Sequence, residues 1–175
     1  MPRLFFALWP DDLTRSRFAA AVESLPKMPG RPVPVRNLHV TLVFLGGVNA
    51  EQQQVLQQGA DGIHAPSFSL TISQLGCWPH AAVAWLAPGV VPPALVDLVT
   101  QLQSVCRNAG LEPDTRPYHP HLTIARKIRR VAPANIDPIF WQISRFSLIK
   151  SVSDRAGSEY HPLVHWPLFS SSNMG

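Results

Sequence analysis

Two short stretches of the sequence carry the same chemical equipment: His39-Val40-Thr41-Leu42 and His121-Leu122-Thr123-Ile124. Each reads His-x-Thr-aliphatic, and each lies in a run whose composition predicts a β-strand. Side chains on a strand alternate between faces. Strict alternation puts His39, Thr41 and Val43 on one side and Val40, Leu42 and Phe44 on the other; it groups His121, Thr123 and Ala125 in the same way. Each copy then offers one imidazole and one hydroxyl from a rigid, aliphatic-backed mount. Two such histidines facing one cleft suit the cleavage of a phosphodiester. A neutral ring takes a proton from the attacking water, and an imidazolium gives one to the departing alkoxide. Both forms are available because an ordinary histidine titrates at about 6.5. Thr41 and Thr123 are candidates to hydrogen-bond the non-bridging oxygens as phosphorus becomes five-coordinate. Arg126 or Lys127 offers a full positive charge. Because Arg126 follows His121 by an odd number of residues, a regular strand sends it to the opposite face. It reaches the cleft only if the strand ends or bulges near Ala125.

This scheme calls for no metal and no cofactor. His119 shares strand parity with His121, and His161 with His165, but neither pair brings an evident third ligand, so no metal site is expected. No phosphate-binding G-x-x-x-x-G-K-[ST] loop is present, nor a G-x-S-x-G elbow or H-E-x-x-H. ATP-driven ligation therefore lacks its machinery, and any ligation would be ring opening with a 5′-hydroxyl in place of water.

The elements that must position these groups are legible in outline. Arg3 to Trp9 reads as a buried strand stopped by Pro10, and Asp11 or Asp12 caps a helix to about Ser24. Residues 26–34 hold four prolines and read as a loop. Val35 to Leu45 is the strand region of the first motif. Asn49 caps a glutamine-rich helix to about Gly59, and Phe68–Leu75 and Ala81–Leu86 read as paired strands. Pro92-Pro93 opens a helix with Leu95, Leu98, Val99, Leu102, Val105 and Cys106 at helical spacing, closed by Gly110. His119–Ala125, Ser144–Lys150 and Tyr160–Leu168 complete the strands. Strands and helices without a strict βαβ rhythm predict an α+β domain. A single domain over residues 1–169 is expected, with a flexible tail over 170–175.

No window approaches the length of a membrane span. Cys77 and Cys106 form no zinc or disulfide pattern, so a cytoplasmic, soluble protein is expected. Fifteen Lys and Arg against eleven Asp and Glu give a net charge of +4. The excess is uneven. No Lys or Arg lies between Arg36 and Arg107, whereas Arg116, Arg126, Lys127, Arg129 and Arg130 fall in a stretch without an acid. Such a local field suits a phosphate ester or RNA.

The duplicated motif, the opening Arg3-Leu4-Phe5-Phe6-Ala7-Leu8 and the context Asn37-Leu38-His39-Val40-Thr41-Leu42-Val43-Phe44-Leu45-Gly46 resemble the two-histidine phosphoesterase superfamily. Arg116-Pro117-Tyr118-His119-Pro120-His121-Leu122-Thr123-Ile124-Ala125-Arg126 narrows the resemblance to the RNA 2′,3′-cyclic phosphodiesterases, the LigT-type 2′-5′ RNA ligases. The resemblance implies a bilobal α+β fold with pseudo-two-fold symmetry. Mainly antiparallel sheets would flank a central cleft, with helices outside. It also implies hydrolysis of RNA 2′,3′-cyclic ends to 2′-phosphomonoesters, with His39 as proton donor, His121 as proton acceptor and Arg126 reaching the phosphate. The expected partners are cyclic-phosphate RNA ends or cyclic nucleotides, met by a monomer away from any membrane. Two other readings remain open: a small substrate such as ADP-ribose 1″,2″-cyclic phosphate, and an RNA-binding module without turnover.

Overall fold

The computed structural model describes residues 1–170. Its strands are β1 (Arg3–Leu8), β2 (Arg31–Pro32), β3 (Val40–Gly47), β4 (Phe68–Trp78), β5 (Val83–Pro88), β6 (Leu122–Arg126), β7 (Ala134–Ile143), β8 (Arg145–Asp154) and β9 (Gly157–Pro167). Its helices are α1 (Asp12–Ser24), α2 (Ala50–Asp61) and α3 (Pro93–Asn108). Local chemistry starts each helix where the sequence indicates. Asp11 accepts from the Thr14 amide at 2.7 Å, and Asn49 and Gln52 form a reciprocal capping box. Pro93 opens α3, all six apolar residues expected on its inner face are buried, and Gly110 ends it at φ +72°.

The strands form one antiparallel sheet in the order β7-β4-β5-β6-β3-β1-β8-β9, with β2 beside β6. Two four-stranded halves, β6-β5-β4-β7 and β3-β1-β8-β9, extend outward from the middle in the same manner. They touch at a single register pair, Val40 with Leu122. The helices brace the halves crosswise. Helix α1 follows β1 yet leans on β7, where the Phe18 and Trp141 rings meet at 5.4 Å; α3 follows β5 yet packs on β3. The main core lies beneath the helices and includes Leu4, Phe6 and Leu8 of β1, whereas Phe5 and Ala7 join Ile149 on the opposite face.

Several boundaries differ from the sequence reading. Val35–Asn37 is a 3-10 turn, and β3 begins only at Val40. Likewise β6 begins at Leu122. Both histidines thus stand just ahead of their strands: the 3-10 turn precedes His39, and Pro120, beside His121, has no backbone N–H to give a ladder. Part of the proline-rich loop, Arg31–Pro32, is a strand. Of the tail expected from Ser170, residues 171–175 lie outside the described residues. Among the described residues, no helix is long and apolar enough to cross a membrane.

Close packing supports the cleft wall at one glycine. A Cβ on Gly76 would lie 2.3 Å from Cη2 of Trp85, whose indole meets that of Trp78 at 5.4 Å. Gly76→Ala is expected to cost about 1–3 kcal/mol, because the indole cannot retreat without disturbing Trp78. A thermal melt should show a Tm lower by roughly 2–4 °C per kcal/mol. An unchanged Tm would show that Trp85 shifts freely.

Candidate active site

The first motif does not alternate strictly, and neither does the second. Between β1 and β3, Phe6 pairs with Val43 and Ala7 with Thr41, leaving Leu42 as an extra residue. Between β5 and β6, Ala84 pairs with Ala125 and Trp85 with Thr123, leaving Ile124 extra. Each motif thus carries a β-bulge at the aliphatic residue after its threonine, and the facing of the two side chains that follow it reverses. Val43 and Ala125 turn into the core, contrary to strict alternation. Phe44 and Arg126 join the face of Thr41 and Thr123. The bulge that Arg126 required is present at Ile124, one residue before the position expected. Lys127 has φ +57° and is not among the residues lining the cleft.

A cleft of about 720 Å³ results, lined by His39, Thr41, His121, Thr123 and Arg126 together. Its aromatic wall is Phe5, Phe44, Trp78 and Tyr160. A neighbouring cavity of about 480 Å³ shares Thr41, Phe44, Trp78 and His121 and adds His119. His161 and His165 lie elsewhere: His161 stands 3.5 Å from Glu159, and His165 Nδ1 meets Ser147 Oγ at 2.5 Å. Among the described residues, no three His, Cys, Asp or Glu side chains gather so as to hold a metal ion.

The two imidazoles are oriented alike. His39 Nδ1–H donates to the Asn37 carbonyl at 2.6 Å, and His121 Nδ1–H donates to the His119 carbonyl at 2.8 Å. Each bond reaches two residues back and fixes the tautomer, leaving Nε2 as the unprotonated nitrogen of the neutral ring. The two Nε2 atoms differ in their partners. Thr41 Oγ1 lies 3.0 Å from His39 Nε2 and donates to it while the ring is neutral. Among the described residues His121 Nε2 has no protein partner. Packing holds both rings. Phe5, Trp9 and Tyr160 surround His39 at 5.0, 5.8 and 5.2 Å, and Trp78 meets His121 edge-on at 4.4 Å.

Burial disfavours the charged form of both histidines. It pushes His39 down to about 4, with Arg15, His121 and Arg126 adding repulsion against the pull of the Asn37 carbonyl. His121 is lowered for the same first reason, with Arg126 and His119 adding to it. Arg15 entered no sequence expectation. From α1 its guanidinium lies 4.7 Å from the Trp9 ring and donates to the Leu38 and Val35 carbonyls at 2.8 and 2.9 Å, fixing the segment that leads into His39. Further cleft residues were also missed, Arg31, Arg36 and Asn37 among them. The β8–β9 hairpin closes against two of them. Asn37 Nδ2 donates to the Ser158 carbonyl at 2.7 Å, and Arg31 Nη2 donates to the Ala156 carbonyl at 2.9 Å. Only the end of the cation-free stretch at Arg36 hinted at them.

Known proteins share this architecture. A relative from Escherichia coli K12, an RNA 2′,3′-cyclic phosphodiesterase, is 34% identical over 169 residues, covering 95% of this chain and 96% of that protein. A relative of the same name from Aeropyrum pernix is 24% identical over 160 residues, 84% of this chain and 91% of that protein. The crystal structure of E. coli LigT complexed with 3′-AMP superposes with a TM-score of 0.87 at 34% identity, covering 96% of this chain and 99% of that one. A Thermus thermophilus structure at 22% identity shows the same fold, with a TM-score of 0.82 over 97% of this chain and 99% of that one. The family model of the 2′-5′ RNA ligase superfamily matches residues 10–155. With that match and a 34%-identical relative spanning nearly its whole length, the chain belongs to the 2′-5′ RNA ligase superfamily.

Proposed function

We propose that this protein opens RNA 2′,3′-cyclic phosphodiester ends to 2′-phosphomonoesters by acid–base catalysis between His39 and His121. The observation that carries the reading is the pair of Nε2 atoms on one cleft, each oriented through its Nδ1 by a backbone carbonyl. The names of the Escherichia and Aeropyrum relatives supply the substrate class. Water attacks phosphorus and passes its proton to His121 Nε2, the nitrogen without a protein partner. The P–O3′ bond breaks, and O3′ takes a proton from His39 Nε2. Thr41 and Thr123 hydroxyls donate to the non-bridging oxygens, and the Arg126 guanidinium offsets the charge gathering there. With a 5′-hydroxyl in place of water, the same steps form a 2′-5′ phosphodiester. Both motifs come from one chain, so a monomer suffices, and the unpaired Cys77 and Cys106 fit a reducing cytoplasm.

In the free protein at neutral pH, His39 is unprotonated, yet the donor must carry a proton. A bound phosphodiester anion restores it by favouring the imidazolium. Replacement of either ring, His39→Ala or His121→Ala, is expected to lower kcat by at least about 10²-fold while Tm and circular dichroism stay near those of the parent. Full turnover by either variant would remove the mechanism. Phosphorus NMR of the product should place the phosphate on the 2′ oxygen.

The pH profile follows from the same shifts. The competent pair holds one proton, so kcat/KM rises as the first histidine is protonated and falls once both are. Both rings titrate below the usual value, so the maximum of kcat/KM should lie on the acid side of about pH 6.5. The kcat profile, which reports the substrate complex, should lie at higher pH because the bound anion raises both values. A kcat/KM that climbs steadily to alkaline pH would contradict the pairing.

A further inference from the structure

Arg31 and Arg126 occupy paired positions on β2 and β6, and both line the cleft. Two guanidinium groups therefore project from adjacent strands toward the same space. Like charges set directly opposite in a sheet are destabilising. Among the described residues neither is ion-paired, for the ion pairs are Arg116 with Asp114 and His161 with Glu159. Asp154 and Glu159 also line the cleft, from the hairpin, but neither lies within ion-pair distance of an arginine. Asp154 Oδ1 accepts from the Ala156 and Gly157 amides at 2.7 and 3.1 Å, and Glu159 stands beside His161. Arg36, just ahead of the first motif, adds a third cation.

The placement is built into the backbone. Gly30 has φ +120°, and a Cβ there would come within 2.7 Å of the Arg126 carbonyl oxygen, so glycine is what lets β2 close on β6. The Arg31 side chain is then held to the hairpin through the Ala156 carbonyl. A cyclic phosphate between the histidines brings one negative charge, which Arg126 meets from the second motif. Arg31 and Arg36 remain without an ion pair in a cleft whose volume lies in the upper range for small-molecule sites.

We propose that Arg31 and Arg36 form a second anion subsite that holds the internucleotide phosphodiester next to the cyclic end, making an oligonucleotide terminus the preferred substrate over a cyclic mononucleotide. This rests on the ring opening proposed above and names which form of the substrate the cleft selects. Phosphate contacts of this kind position a strand without reading its bases.

The test compares kcat/KM for a short RNA ending in a 2′,3′-cyclic phosphate with kcat/KM for a 2′,3′-cyclic mononucleotide, using the intact protein. The unmodified protein should favour the oligonucleotide by about tenfold or more at low salt, and Arg31→Gln and Arg36→Gln should each lower that ratio about threefold or more. The salt dependence of the oligonucleotide reaction should also flatten, by roughly 0.7 in logarithmic slope for each arginine removed. Equal losses on both substrates, or an unchanged ratio and slope in both variants, would overturn the subsite while leaving the histidine chemistry standing. Failure of the unmodified protein to open either substrate would instead overturn the reading at the histidines, and the subsite with it.

Discussion

The cleft depends on one antiparallel contact, that of Val40 with Leu122. Both side chains are fully buried, and each stands between the histidine and the threonine of its motif. Pinning these two residues together places the two sets of polar side chains on either side of one point. Because the halves pair at this position alone, they are free to diverge on either side, and the cleft opens where they do. The helices make the junction durable: α1 and α3 each leave one half and bury their apolar faces against the other. Hydrophobic burial on the far face thus holds the histidines opposite each other on the near face.

The same burial sets the protonation of the site. Aromatic rings around His39 strip it of water and favour the neutral imidazole, while the Asn37 carbonyl fixes which nitrogen that neutral ring presents. The side chain of Asn37 meanwhile reaches the β8–β9 hairpin through Ser158, so one residue ties ring orientation to the wall of the cleft. Its Oδ1 is buried without a partner, a local cost borne at the cleft.

Much of this was legible from residue types. The repeated His-x-Thr, the helix caps at Asp11 and Asn49 and the apolar face of α3 are local signals, and local geometry follows them. The bulges were not legible, because which residue goes unpaired is decided between strands. Their trace is a run of successive apolar residues, Leu42 to Leu45 in the first motif and Ile124-Ala125 in the second, where strict alternation calls for one. Arg31 was hidden for a related reason. A two-residue strand in a proline-rich stretch has no periodicity, and Arg31 gains its meaning only by lying beside Arg126. Arg15 acts across a fold-level distance, from the face of a helix to the carbonyls that precede His39.

After the two bulges, equivalent places in the halves hold different groups: an aromatic ring at Phe44 and a guanidinium at Arg126. A perfectly duplicated vessel would present the same groups to a guest in either of two senses. One end of this vessel offers a π-face to something flat, and the other offers charge to something anionic. That mismatch between otherwise matching halves gives the cavity a head and a tail.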